Sequence, residues 1–180
     1  MRLEEIPGLL SVREAYGETT VLVETASLEE ACAHLREEGF NFLSDISTAD
    51  YLGYGSRGVS GYIGTSAGRD LNVPMTQGLQ AEPEAKPKRF SVSYHLLSLS
   101  SSPQRLRLQV FADEGEPVPS VIEIWPTADW HEREAFDLMG IAIEGHPNLR
   151  RILTDDDWEG HPLRKDYPIG GEPVRFSEEE

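Results

Sequence analysis

From Trp130 to Leu153 the chain reads W-H-E-R-E-A-F-D-L-M-G-I-A-I-E-G-H-P-N-L-R-R-I-L, and from Asp157 to Pro168 it reads D-W-E-G-H-P-L-R-K-D-Y-P. Residues 130–176 hold six bases, ten acids and three histidines, a density that an ordinary solvated surface does not require. The first part has helical texture over Thr127–Met139. Asp129 and Glu132 stand at the spacing of a capping pair, and Gly140 is the stop. Ile141-Ala142-Ile143 reads as a brief extended piece. Beyond Gly145 the chain is rich in turns, with Gly-His-Pro at 145–147 and again at 160–162, and is expected to wind over a surface. Asp155-Asp156-Asp157 after Thr154 read as the acidic start of a helix, where negative charge is favoured.

Working outward from this stretch, the first half has clearer punctuation. Ser11–Tyr16 and Thr19–Thr25 are β-prone runs around Gly17-Glu18, a hairpin pattern. Ser27 with Glu30 makes a capping box for a helix whose stripe is Leu28, Ala31, Cys32 and Leu35 and whose stop is Gly39. Phe40–Ala49 reads as the next strand. Residues 53–88 are glycine-rich and without sustained periodicity, an irregular insertion expected to be mobile. Arg89–Ser98 and Gln104–Asp113 read as two further strands joined at Ser101-Ser102-Pro103. Phe90, Val92 and Tyr94 share one face of the first, and Leu106, Leu108 and Val110 one face of the second. Ser120–Trp125 is a short element of no clear type. The expected architecture is α+β: a small mixed sheet packed with helices over residues 1–115, followed by an extended C-terminal docking region over 116–180.

Composition narrows the function. The chain has 180 residues, with 32 acids against 16 bases and a formal net charge of −16. Such a balance opposes phosphate backbones, so nucleic-acid binding is not expected. A single cysteine, Cys32, permits no internal disulfide, suits a reducing compartment, and cannot hold an iron–sulfur cluster. It lies on the apolar stripe, which argues against a reactive thiol. The opening M-R-L-E-E-I is too acidic for a signal peptide, and no apolar run is long enough to span a bilayer.

The catalytic motifs that can be looked for are incomplete. Gly53-Tyr54-Gly55-Ser56-Arg57-Gly58 matches G-x-G-x-x-G, but no helical pattern follows and Asp70 comes too early for the acidic partner. His131-Glu132-Arg133-Glu134-Ala135 begins like a zinc-binding helix, yet position 135 holds no histidine. His146 and His161, each between glycine and proline, suit turn positions better than ligand positions. Glu134 and Asp137 could serve as an acid–base pair, but three acids interleaved with Arg133 more often form a charge-paired docking face. Arg150, Arg151, Arg164 and Lys165 lie among Trp130, Phe136, Leu149, Trp158, Leu163 and Tyr167. Arginine mixed with aromatics is the composition of an interface core.

At these residues the sequence resembles a known family. Glu132-Arg133-Glu134, Asp137-Leu138-Met139, His146, Arg150 and Ile152-Leu153 match, in order and spacing, the signature of the 30-kDa subunits of respiratory complex I, the family of the C subunit of bacterial NADH–quinone oxidoreductase. Gly160–Pro168 looks like the continuation of that pattern, and Phe40–Asp45 resembles the family's strand after its first helix. The likeness is specific over 125–170, softer over 20–52 and 89–112, and offers no counterpart for 53–88.

The resemblance implies an α+β subunit with no catalytic, metal or cofactor-binding residues of its own, peripheral on the cytoplasmic face of the membrane. FMN and iron–sulfur clusters would reside in partner subunits, and membrane contact would come only through the complex. The partners implied are the large quinone-site subunit of the 49-kDa type and the small iron–sulfur subunit. The holoenzyme passes electrons from NADH to quinone and pumps protons. The interface residues implied are Glu132, Arg133, Glu134, Asp137, His146, Arg150, Arg151, His161, Arg164, Lys165 and Asp166. An equivalent subunit of a ferredoxin- or F420-linked dehydrogenase or of a membrane-bound hydrogenase is the alternative. An independent enzyme using Glu134 and Asp137 is a more distant one.

Overall fold

The computed structural model describes residues 2–54, 86–100 and 102–167. The glycine-rich segment expected to be irregular therefore lies almost wholly outside the described residues, as does the greater part of the G-x-G-x-x-G match.

The expected hairpin forms, with its turn at Tyr16-Gly17, one residue earlier than the Gly17-Glu18 that the sequence suggested. Strands β1 (Leu9–Ala15) and β2 (Glu18–Val23) are antiparallel. Tyr16 and Gly17 between them have φ of 54° and 78°, the left-handed pair that a two-residue turn matched to strand twist requires. Helix α1 (Leu28–Glu37) follows and buries Leu28, Ala31, Cys32 and Leu35, the expected stripe.

Its ends teach more. The capping box is absent, because a 3₁₀ turn over Thr25–Ser27 leads directly into the helix and Ser27 makes no side-chain cap. At the other end Gly39 has φ of 99°, its N–H donates to the Arg36 carbonyl at 3.1 Å, and the Phe40 N–H donates to that of Leu35 at 3.0 Å. These are the paired bonds of a Schellman stop.

Strands β3 (Phe42–Asp50), β4 (Phe90–Ser98) and β5 (Gln104–Ala112) complete a five-stranded sheet of order β1-β2-β5-β4-β3. Within it only the β2–β5 pairing is parallel. The connection β2–α1–β3 therefore joins two parallel strands with β5 and β4 between them, which lays α1 across the sheet. Under it lie Val21, Val23, Leu43, Ile46, Phe90, Val92, Tyr94, Leu96, Leu106, Leu108 and Val110, all buried.

Trp125 seals one margin of this core, its indole N–H donating to the Phe40 carbonyl at 3.2 Å. The residues before it, of uncertain type from sequence, form turns and no strand. A short parallel pair, β6 (Val118–Pro119) with β7 (Ile143–Glu144), brackets helix α2 (Ala128–Glu134), whose last turn widens to a π-helical one over Ala135–Met139. Gly140 ends it at φ 68°. Ala128, Ala135, Met139 and Ile141 join the same core as the sheet. From Gly145 to Tyr167 the chain forms neither helix nor strand.

Candidate functional site: a carboxylate-held C-terminal segment

The site grows from the end of α2. An α-helix leaves its final carbonyls without intrahelical partners, and each left dry costs about 1–3 kcal/mol. Here the irregular segment supplies the donors. The Asp137 carbonyl is met by Arg151 Nη1 at 3.2 Å and His161 Nδ1 at 2.9 Å, and that of Leu138 by the Leu163 N–H at 3.0 Å. Arg164 serves the next two, with Nε 2.7 Å from the Met139 carbonyl and Nη2 3.3 Å from that of Gly140. Cations at this end are also favoured by the helix dipole.

The Asp137 side chain, fully buried, does the converse for the segment. Its Oδ2 accepts the N–H groups of Ile152, Leu153 and Thr154 at 2.9, 2.7 and 3.0 Å. Its Oδ1 accepts from the Thr154 hydroxyl and from Arg151 Nη1, the latter at 2.8 Å. The other arm of Arg151 reaches the Trp158 and Gly160 carbonyls at 3.1 Å each. Burial pushes the Asp137 carboxyl up, but bonds from the Thr154 hydroxyl and three backbone amides overcome that and hold it well below the usual carboxylate range. It is an anion with its lone pairs occupied, a structural acceptor with no capacity left to take a substrate proton.

Glu132 faces the other way. It is 1 % exposed and ties α2 to the turn before it, with Oε2 2.6 Å from the Ser120 hydroxyl and Oε1 2.7 Å from the Val121 N–H. Burial raises its carboxyl above the ordinary value despite those bonds. This is why the expected Asp129–Glu132 capping pair does not form: Glu132 points into the core, and Thr127 at the helix start makes no cap. The fully buried His146 side chain accepts the Asn148 N–H at Nδ1, 3.0 Å. Its Nε2 lies 3.3 Å from Asp129 Oδ1 but off the line of a hydrogen bond.

Arg133 stacks on Trp130, 5.3 Å from the ring centroid, and donates to the Arg150 carbonyl at 3.2 Å. Glu134 is exposed while Asp137 is buried, so the two carboxylates share no site. Arg150 and Lys165 are exposed, and neither cationic head has a partner among the described residues. Asp155–Asp157 cap no helix, because none follows them among the described residues; the Trp158 N–H closes a turn on the Asp155 carbonyl at 3.0 Å.

Sequence reasoning missed a second anchor. Asp50, at the end of β3, is buried and receives Arg89 through Nε at 3.2 Å and Nη2 at 3.0 Å, the Leu52 N–H at 2.9 Å and the Lys165 N–H at 2.9 Å. Arg89 also meets Asp166 at 2.8 Å and Glu114 at 3.2 Å, and Glu114 in turn meets Arg164 at 2.6 Å. Both guanidinium groups lie over Phe90, at 4.7 and 5.3 Å from its centroid. The available signal was weak: an acid and a base of opposite sign, one before and one after the glycine-rich stretch.

Outward from these anchors the surface carries Trp130, Leu153, Trp158 and Leu163, at 62, 62, 42 and 59 % exposure. Among the described residues no cluster of three or more His, Cys, Asp or Glu side chains is arranged to hold a metal ion. None of their helices is long and apolar enough to cross a membrane.

Residues 21–173 match the model of the respiratory-chain NADH dehydrogenase 30-kDa subunit family. The chain belongs to that family. The match spans residues 53–88, for which the sequence alone suggested no counterpart. The NADH-quinone oxidoreductase C subunit of Vesicomyosocius okutanii is 44 % identical over 98 % of this chain and 85 % of its own length. That of Methylobacterium sp. is 41 % identical over 99 % of this chain and 71 % of its own. Among solved structures, the trypsin-resistant fragment (1–134) of Nqo5 is 31 % identical, with a TM-score of 0.61, over 82 % of this chain and 96 % of that one. A chain of the membrane-bound sulfane sulfur reductase, an archaeal respiratory membrane complex, is 18 % identical with a TM-score of 0.64, covering 93 % of this chain and 81 % of that one, a likeness of fold.

Proposed function

We propose that this chain is the non-redox, structural 30-kDa-type subunit of a proton-translocating NADH–quinone oxidoreductase. In this reading it sits in the peripheral arm on the cytoplasmic face of the membrane, while FMN and iron–sulfur clusters in other subunits carry electrons from NADH to quinone. Its Trp130–Tyr167 region docks on the large quinone-site subunit of the 49-kDa type, close to the small iron–sulfur subunit. The activity is the assembly's, and this chain contributes shape and recognition.

One observation carries the docking assignment. The charged signature divides into groups spent within the chain and groups left free. Asp137, Arg151, His161 and Arg164 hold the segment in place, while Trp130, Leu153, Trp158, Leu163 and the Arg150 and Lys165 heads face outward. Exposed aromatic and aliphatic side chains rimmed by charge are what a buried partner surface uses.

The test is a gentle-detergent affinity purification of the tagged chain from its host membranes. Recovery of the quinone-site and cluster-bearing subunits with NADH–quinone reductase activity supports the reading. Recovery of the chain alone, while intact complexes remain in the same membranes, refutes it. Arg150→Ala should impair assembly of the peripheral arm and leave the isolated chain folded, because its guanidinium has no partner among the described residues. Normal assembly of that variant would remove Arg150 from the interface.

A further inference from the structure

We propose that Asp50 is a positioning residue for assembly: with Arg89 it fixes the far end of the C-terminal segment to the sheet, so that the segment is presented to its partner already formed. This rests on the docking role proposed above. Asp137 holds the segment at residues 151–154 and the last carbonyls of α2 hold it at 161–164, but the residues beyond Arg164 need a further fixed point to keep one shape. Asp50 supplies it by accepting the Lys165 N–H at 2.9 Å, and Arg89 adds its contact with Asp166 at 2.8 Å.

The anchor is itself immobilised. Asp50 is 1 % exposed at its side chain and grips Arg89 through both Nε and Nη2. The adjoining Tyr51 N–H donates to the Arg89 carbonyl at 2.7 Å, and the Arg89 N–H to Asp113 at 3.0 Å. Burial pushes the Asp50 carboxyl up, but Arg89, Lys165 and Leu52 together hold it below its usual value. The Asp50 side chain is buried beneath the segment, so its effect on a partner has to pass through the shape of residues 165–167. A segment ordered before binding loses less conformational entropy in the complex, which appears as affinity without any new contact.

The experiment uses Asp50→Asn in the full chain, with two readouts. Arg89 keeps Glu114 and Asp166 as partners in this variant, so its charge is not left bare. Hydrogen exchange on the isolated chain should show the amides of 165–167 exchanging on the order of tenfold faster, with those of β4 and β5 unchanged. Co-expression with the wild-type chain should then give a mutant-to-wild-type ratio in the purified complex below that in the soluble pool. Unchanged exchange at 165–167 overturns the anchor, and faster exchange with equal incorporation overturns the role in assembly. Absence of the wild-type chain from any complex would instead defeat the docking reading, with the exchange result still standing. Asp50→Glu, which keeps the charge, should restore part of the incorporation and separates positioning from simple loss of fold.

Discussion

The sheet with its helices and the segment from Gly145 to Tyr167 are held together by different physics. In the first, apolar side chains from β2–β5, α1 and α2 form one buried core. In the second no described residue after Ile143 belongs to the buried core, and Leu149 only packs against its margin. Its cohesion comes from a few acceptors, Asp137, Asp50 and the last carbonyls of α2, bonded to named donors. Hydrophobic packing is non-directional and tolerates exchange of similar residues. A backbone held by one carboxylate is directional and fails when that carboxylate changes. The difference teaches why the chemically distinctive residues crowd into the second region: an irregular segment can be fixed only by specific acceptors.

The largest effect should come from breaking the core. Trp125→Ala removes a 2 % exposed indole and its bond to the Phe40 carbonyl and should cost about 3–5 kcal/mol. Chemical denaturation should show one shifted transition, with both regions lost together. Asp137→Asn should separate them. It leaves the core intact, costs about 1–3 kcal/mol through unsatisfied donors, and raises hydrogen exchange at 152–154 well before that of β4. A single shared rise would mean that the segment is part of the core's cooperative unit.

Gly140→Ala sharpens the boundary between the regions. A Cβ there would lie 2.5 Å from Arg164 Nη2 and from His161 Cδ2, at a φ of 68°. The backbone contribution alone is about 1–2 kcal/mol, and the crowding should loosen 161–164 in addition. Loss of stability without any change in exchange at 161–164 would show that the segment yields freely at this point.

The smallest effect is in pH dependence, where the two carboxylates act with opposite sign. Asp137 is depressed in the fold, so its contribution is present above the ordinary carboxylate range and is lost as pH falls through its lower folded value. Glu132 is raised, so its contribution is full below the ordinary value and is lost as pH rises through its folded one. Glu132→Gln should therefore flatten the fall in stability on the alkaline side of the carboxylate range, measured by thermal unfolding across pH. An unchanged profile would remove Glu132 as its source.

Much of the first region was legible because local pattern and burial agree there. The period-two strands, the α1 stripe and the stops at Gly39 and Gly140 each express one local rule. What failed involved polar groups whose partners lie far along the chain. Ser27 and Glu30 match a capping box, but a 3₁₀ turn occupies the helix entrance. Glu132 has capping spacing, but residues 120–121 reach it first. The family signature was readable by spacing, yet spacing cannot say that Asp137 faces inward and Arg150 outward. Asp50 and Arg89 escaped notice because their pairing spans 39 residues of sequence.

The outward face of the anchored segment should be covered in the assembled enzyme. Hydroxyl-radical footprinting of the isolated chain and of the purified complex tests this directly. Trp130, Leu153, Trp158 and Leu163 should be labelled in the free chain and shielded in the complex. Equal labelling of those four side chains in the two samples would contradict the account.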